Sequence, residues 1–356
     1  MNNTRKISLR EIAEQCGVTR MAVSLALRNK PGVSEATRKQ VLKVAKQMGY
    51  EPDPEVAKLM SRIRAQSPAE ARACLALLTS GRQPEEWMRS VTERKYVEGA
   101  IARAREYGYR VEEFWRNEPG LSPERLSSIL WNRGIEGIII APLQGLLPSK
   151  QDRTVNLDYP LFSVVEISET VESPDLDRSI HDQYTSMLKL LETLSTLRYQ
   201  RMGLVLQTEL DERVNGKWTA AFLRYASLHT ELSLPPPLLL PQIDQKAFDR
   251  WWIKHQPDVL VSVDRFGLRM ARQHGLKIPS DIGYASLDID GDAPDVTDPS
   301  GVDQNSRMVG AAATDLLVAA MHRGQRGIPE HPLRMEIEGT VHLGKTTRAP
   351  AACKRS

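Results

Sequence analysis

Along the first fifty positions, apolar residues recur at helical spacing in three short sets separated by turn residues. The first stripe is Ile12, Ala13 and Cys16. It follows Ser8-Leu9-Arg10-Glu11, a capping-box start in which Ser8 caps the helix and Glu11 reaches back. Gly17 permits a sharp turn, and Thr19 is placed to cap a second helix with Ala22, Val23, Ala26 and Leu27 facing inward. Pro31-Gly32 announces a third helix, capped by Ser34, with Ala36, Val41, Val44, Ala45 and Met48 inward and Gly49 as its stop. From about residue 72 the rhythm changes. Short apolar runs alternate with helical stretches: ACLALLT (73–79), RVEEFW (110–115), GIEGIIIAP (134–142), LFSVVEI (161–167), RMGLVLQ (201–207), PPLLL (236–240), DVLVSV (258–263) and IGYASLD (282–288).

Continuous apolar strands separated by helices predict parallel sheets covered on both faces. The run is long enough for two such sheets. The expected fold class is an all-α helix-turn-helix head followed by an α/β core of two doubly wound parallel-sheet lobes, with a cleft between them. Clefts of this kind collect ligands at the carboxyl ends of strands. The polar stretch ETVESPDLDRS (169–179) is read as the connection after the fourth strand.

In the head, two helices joined by a short glycine-containing turn, with a third as support, describe a helix-turn-helix. A plain helical hairpin is the alternative. The periodicity that buries Val23 turns Arg20, Met21 and Ser24 outward. Arg20 has the donor fork to read a guanine edge, and Met21 can pack on a thymine methyl. Arg28, Thr37, Arg38 and Tyr50 suit phosphate contacts, which fix register without reading sequence.

Charge sharpens this division. Residues 1–66 hold 13 Lys/Arg and 6 Asp/Glu, whereas the remainder carries a net charge of −4. A basic head on a mildly acidic body suits a polyanionic partner for the head alone. The cysteines Cys16, Cys74 and Cys353 are odd in number and widely spaced, which suits a reducing compartment rather than disulfides or a metal site. No apolar run approaches a membrane span and the first residues lack a signal-peptide core, so a cytoplasmic protein is expected. No cofactor is implied: a dinucleotide fingerprint, a phosphate-binding loop, a nucleophile elbow and a zinc motif are all missing. His181-Asp182 reads either as an acid/base pair or as an ordinary helix start. A non-enzyme is expected. A DNA-binding head fused to a small-molecule-processing lobe is the alternative.

The stretch LREIAEQCGVTRMAVSLALRNKPGVSEATRKQVLKVAKQMGYEPD resembles the headpiece of the LacI/GalR family of bacterial transcription repressors across some 45 residues. The resemblance implies that the second helix is the recognition helix. It implies a DNA-facing set of Ser8, Thr19, Arg20, Met21, Ser24, Arg28, Asn29, Ser34, Thr37, Arg38 and Tyr50. Where many members carry arginine after the Val-Ser pair, this chain has Leu25, so one family contact does not carry over. The segment PDPEVAKLMSRIR (52–64) resembles the family's hinge, a short helix that wedges an apolar side chain into the minor groove. Val56, Ala57, Leu59 and Met60 would form it. Pro54 and an extra residue depart from the usual spacing, and a plain linker is the alternative.

The body resembles the family's effector-binding core, itself similar to periplasmic sugar-binding proteins, through HDQYTSMLKLLETLSTLRYQRMGLV, LKIPSDIGYASLD and GVDQNSRMVGAAATDLLVAAMHRG. The resulting organisation is a headpiece (1–50), a hinge or linker (51–71) and a core (72–345). Lobe 1 takes about 72–168 and 291–323, and lobe 2 about 169–290 and 324–345. The resemblance implies a homodimer on a palindromic double-stranded operator, controlled by a sugar-like small molecule. It places four residues near that ligand. Arg213, within Arg213-Val214-Asn215-Gly216, binds oxygens or makes a surface salt bridge. Trp218 stacks on a sugar or belongs to the core. Asp264 stands where the family often has Asn-Asp, though here Val263 precedes it. Asp288 accepts from hydroxyls or caps a loop.

Overall fold

The computed structural model describes residues 7, 9–27, 32–50, 73–143, 153–292 and 296–348. Ser8, Arg28 and Asn29, and the hinge residues Val56, Ala57, Leu59 and Met60, lie outside the described residues.

The head consists of α1 (Leu9–Cys16), α2 (Arg20–Leu27) and α3 (Glu35–Met48). Their apolar stripes meet in one small core of Ile12, Ala13, Cys16, Val23, Ala26, Val41 and Ala45. Two of the caps the sequence implies, Thr19 and Ser34, are in place. The Thr19 hydroxyl accepts from the Ala22 amide at 3.1 Å, and Ser34 accepts from the Thr37 amide at 3.1 Å. Gly49 ends α3 with φ of 71°, a left-handed conformation that favours glycine. Ala36, expected inward, is exposed, because the buried stripe of α3 begins only at Val41.

The core is built on two six-stranded sheets. The first contains β1 (Cys74–Thr79), β2 (Arg110–Trp115), β3 (Gly137–Ile140), β4 (Ser163–Ile167), β5 (Asp177–His181) and β11 (Arg334–Ile337), in the order β11-β5-β4-β3-β1-β2. All its pairings are parallel. The second contains β6 (Met202–Gln207), β7 (Leu238–Leu240), β8 (Val259–Ser262), β9 (Gly283–Ser286), β10 (Gly301–Asp303) and β12 (Thr340–His342), in the order β12-β10-β9-β8-β6-β7. It is parallel except where β10 meets β12. Apolar clusters cover both faces of each sheet. All eight apolar runs become strands.

On the first sheet, α4 (Val91–Glu106) and α12 (Ser306–His322) pack on each other unusually closely. A Cβ added at Gly99 would stand 1.9 Å from the Arg307 carbonyl oxygen, and one at Gly310 would stand 1.8 Å from the Tyr96 carbonyl oxygen. Only glycine at both positions lets the two backbones touch. A further helix, α5 (Pro123–Asn132), packs its Leu126 and Leu130 into the opposite face of this sheet. The second sheet carries α6 (Gln183–Thr196), the short α7 (Thr208–Glu212), α8 (Lys217–Leu228), α9 (Gln245–His255), α10 (Phe266–Gln273) and the single turn α11 (Ile289–Asp292).

The lobe boundaries differ from those expected. The chain crosses between sheets near residues 182, 304 and 338, not near 168, 290 and 323. Two elements explain the shift. The polar stretch 169–179 does not leave the first lobe but runs into β5, whose Asp177, Arg178 and Ser179 are all buried. Asp177 accepts from the Leu333 amide and Ser179 donates to the Val309 carbonyl, both distant in the chain, while Arg178 donates to the Val171 carbonyl and to Asp175 Oδ1 and stands 3.5 Å from Glu166 on neighbouring β4. β10 likewise extends the second sheet past residue 290 before α12 returns to the first.

The three crossings run side by side. The Asp182 amide donates to the Ile337 carbonyl, Asn305 Nδ2 donates to the Glu338 carbonyl, and the Gly339 amide donates to Ser186 Oγ. Asp182 itself caps α6 through the Thr185 amide at 2.9 Å. His181 is buried with Nδ1 against the Ile337 carbonyl at 3.1 Å. The His181-Asp182 pair is therefore a strand end and a helix start at the crossing.

Candidate functional site

Two places in the molecule assemble chemistry-bearing residues. The first is the outer face of α2. Packing of Val23 and Ala26 into the head core leaves Arg20 exposed, and Met21 is 66% exposed. Leaving a large thioether side chain in water beside an arginine suits a surface that meets a partner. Ser24 is half-buried on the same helix, as are Thr37 and Arg38 on α3 and Tyr50 beyond it. Arg38 also acts within the head, where its guanidinium donates to the Leu25 and Ala26 carbonyls at 3.5 and 3.4 Å and closes the end of α2. Thr37 shares its hydroxyl with Ser34 at 2.8 Å. Tyr50 packs against the head core.

The second place is a cavity of about 470 Å³ between the two sheets of the core, at the carboxyl ends of their strands. Arg213, Trp218, Asp264 and Asp288 all contribute to its wall. Opposite them stand the turn Glu86–Arg89, the first turn of α4 and the residues following β3 and β4. Glycine at 216, with φ of 68°, lets the chain turn from α7 into α8, so that Arg213 and Trp218 reach the wall from successive helices.

Their environments differ. Arg213 donates through Nη2 to the Leu143 carbonyl at 3.1 Å, tying the second lobe to the first. Trp218 is buried among the core residues of the second sheet and shows the cavity only part of its surface. Asp264 is 61% exposed at the mouth, with Arg265 3.9 Å away. Asp288 is the deepest. It is 7% exposed, accepts from the Thr92 hydroxyl at 2.5 Å and accepts from the Asp290 amide at 3.0 Å. Burial pushes its carboxyl up to about 7, partly opposed by the Thr92 hydroxyl and reinforced by neighbouring Asp290.

Sequence reasoning missed the wall residues Glu169, Gln183 and Asp290 and the side chains that bind them from behind. Lys95 reaches across from α4 to Asp290 at 2.5 Å. Glu169, its side chain almost wholly buried, receives Lys217 at 2.8 Å and Asn215 at 3.1 Å from the second lobe. Gln183 enters from the start of α6. The signals were slight: Asp288-Ile289-Asp290 after an apolar strand, and a glutamate opening a polar stretch. Their partners lie far away in the chain, so spacing cannot announce them. Among the described residues, no group of three or more His, Cys, Asp or Glu could hold a metal ion. No helix there is long and apolar enough to cross a membrane.

A helix-turn-helix head ahead of a two-sheet core with a cleft is a specific combination, and both halves match known sequence families. Residues 8–53 match the family described as bacterial regulatory proteins, lacI family. Over those residues the chain is similar to the lacI family. Its core, over residues 191–347, matches the periplasmic binding protein-like domain. A curated relative is the HTH-type transcriptional regulator GntR of Escherichia coli (strain K12). The two are 28% identical over 211 residues, which is 58% of this chain and 56% of that protein. The chain thus spans little more than half the length of the curated relatives it matches. Among solved structures, the chain shares its fold with the lac repressor dimer bound to operator and the anti-inducer ONPF (TM-score 0.53, 17% identity, 97% of this chain and 100% of that one). It also shares the fold of the transcriptional regulator CelR in complex with cellobiose (TM-score 0.52, 17% identity, 96% and 100%) and of a ribose operon repressor protein from Lactobacillus acidophilus (TM-score 0.55, 14% identity, 78% and 98%).

Proposed function

We propose that this protein is a sequence-specific DNA-binding transcriptional regulator, acting as a repressor, whose operator affinity is set by a small molecule in the interlobe cavity. The observation that carries the reading is the joining, in one chain, of an outward-facing Arg20 and Met21 on α2 to a cavity walled by Arg213, Trp218, Asp264 and Asp288. The lac repressor structure holds operator and anti-inducer, and the CelR structure holds cellobiose, which supports DNA and a sugar-like effector as the two partners.

One head covers only a few base pairs, so useful specificity requires two heads on a twofold-symmetric site. Exposed Leu223, Leu228, Ile243 and Ile253 on and beside α8 and α9 offer apolar surface for a second copy. The effector acts by preferring one arrangement of the lobes. Its differential affinity sets the change in operator affinity, a coupling on the order of 1–3 kcal/mol.

The test is selection of bound DNA from a random pool, repeated with a metabolite panel. The expected outcome is a palindromic site whose occupancy changes with particular compounds. Absence of any preferred palindrome contradicts the reading. Arg20→Ala should relax preference at one symmetric pair of positions, at about 1–3 kcal/mol per lost bidentate contact. A uniform loss over all sequences would instead mark Arg20 as a phosphate contact.

A further inference from the structure

Side chains cross the cavity from one lobe to the other in two matching sets. On one side, α4 of the first lobe meets the turn after β9. Thr92 bonds to Asp288 at 2.5 Å, and Lys95 Nζ stands 2.5 Å from Asp290. On the other side, the segment opening α8 meets the turn after β4. Lys217 Nζ lies 2.8 Å from Glu169, and Asn215 donates to Glu169 at 3.1 Å.

The two sets mirror each other in the topology. From the edge where the chain crosses, the sheets run β5-β4-β3-β1-β2 and β10-β9-β8-β6-β7, the same order in each lobe. The helical segment after a lobe's first strand, β1 or β6, supplies the lysine. The turn after the other lobe's fourth strand, β9 or β4, supplies the carboxylate. Both carboxylates belong to the cavity wall and neither lysine does, so the pairs fasten the lobes from behind the wall.

Both pairs are partly withdrawn from water. Side-chain exposure is 25% and 12% for Lys95 and Asp290, and 22% and 1% for Lys217 and Glu169. Removing one partner of such a pair leaves the other charge poorly solvated and unpaired, a penalty relieved when that charge returns to water. Separating the lobes does this, because each pair is divided between them. The relief is unequal. Glu169 has Arg334 of its own lobe at 3.5 Å as a second cation, whereas Lys95 is the one cation paired with Asp290 among the described residues.

We propose that these reciprocal ion pairs form a latch that holds the two lobes closed over the cavity, with Lys95–Asp290 the arm whose loss opens them most. Closure is thus set by charges of the chain itself and by ionic strength. The latch stands apart from the DNA and effector readings. Its regulatory consequence rests on the effector reading: a ligand that prefers closed lobes adds to the latch, and one that needs them open works against it.

The experiment measures the opening directly and needs neither DNA nor ligand. β2 and β7 lie at the sheet edges farthest from the crossings, and Glu118 and Gln242 are exposed just beyond their carboxyl ends. Nitroxide labels at Glu118→Cys and Gln242→Cys, in the full-length chain carrying Cys353→Ser, report the width of the mouth by pulsed electron resonance. Cys16 and Cys74 are buried, and dilution with unlabelled chain confines the label pairs to one chain. The labelled chain should show one short distance. Lys95→Ala should add a longer population, Lys217→Ala a smaller one, and the double variant the largest, each fold checked by tryptophan emission. The charge swap Lys95→Asp with Asp290→Lys should restore the short distance. The chain without these changes should open in about 1 M sodium chloride, where the screening length is about 3 Å, which requires no variant to fold. A short distance unchanged in the lysine variants and in salt overturns the proposal. So does an opening that the swap fails to reverse, which would assign it to lost packing of the lysine stem.

Discussion

The head and the core solve the problem of presenting a site in opposite ways. In the head, the core residues Ile12 to Ala45 lie within a few turns of one another, and the face left over is the site. Position 21 is exposed because position 23 is buried. In the core, the site is made by contacts between distant segments: Thr92 with Asp288, Lys95 with Asp290, Arg213 with Leu143, Glu169 with Lys217. Local periodicity is enough to place an exposed helix face, whereas a cleft is placed by topology. The head should therefore fail through its few apolar residues and the cleft through its crossings and closest helix contact.

The largest effect is expected from removing the centre of the head core. Ile12 is fully buried between α1, α2 and α3. Ile12→Ala should cost about 2–5 kcal/mol, comparable with the entire stability of so small a unit. All six tryptophans lie in the core, at positions 87, 115, 131, 218, 251 and 252. Hydrogen exchange should consequently rise in peptides from 9–48 while the midpoint of tryptophan emission stays in place. A shifted midpoint would break the comparison by showing that head and core unfold together.

The crossings should respond to pH. Burial lowers His181 to about 4, opposed by its bond to the Ile337 carbonyl and by Asp182 and Asp303 nearby. The unfolded chain takes up a proton near pH 6.5 while the folded one refuses it until about pH 4. Stability tied to His181 is thus intact above pH 6.5 and falls as pH drops from 6.5 to 4, by about 3 kcal/mol in all. Asp288 acts in the reverse sense, since its raised carboxyl holds a proton in the folded state that the unfolded chain has already lost. It therefore adds stability as pH falls from about 7 toward about 4. Urea midpoints against pH for wild type, His181→Asn and Asp288→Asn separate the two. The histidine variant should lose the acid-side decline, and the aspartate variant should steepen it. Parallel profiles for all three would mean that neither group titrates differently on folding.

The contact between α4 and α12 sharpens the same contrast. Gly310→Ala places a methyl group against the Tyr96 carbonyl, and the neighbour is backbone, which cannot swing aside. Overpacking of this kind costs about 1–3 kcal/mol. The loss should appear in the tryptophan signal, with exchange in 9–48 unchanged. Tyr96 also lines the cavity, so any shift of α4 should weaken ligand binding too.

How much of this was legible in the sequence follows from the same difference. The three head helices and their caps are written in local spacing. So are the eight apolar strands, and the Arg-x-x-Gly segment and the aspartate two residues beyond β9 lead to the cavity wall. What spacing does not show is a buried strand that looks polar. Asp177 and Ser179 pair with residues far along the chain and Arg178 with Asp175 and Glu166, so β5 reads as a connection and the crossings are placed too early. β10 and β12, three residues each, are too short to carry a period. Lys95 and Asp290 lie 195 positions apart, and neither predicts the other.

The smallest effect separates folding from recognition within the head itself. Ser34 accepts from the Thr37 amide, and such a cap contributes about 1 kcal/mol, so Ser34→Ala should raise exchange in α3 by a corresponding amount. Ser34→Asp keeps an acceptor in the same place and adds a charge that suits a helix N-terminus. Exchange in α3 should then stay near that of wild type. If the N-terminus of α3 lies against a phosphate, the added carboxylate repels it, and DNA affinity should fall below that of Ser34→Ala although the head is better folded. If the aspartate variant binds the selected palindrome as tightly as wild type, Ser34 caps α3 and nothing more, and the DNA-facing surface contracts to the exposed side of α2.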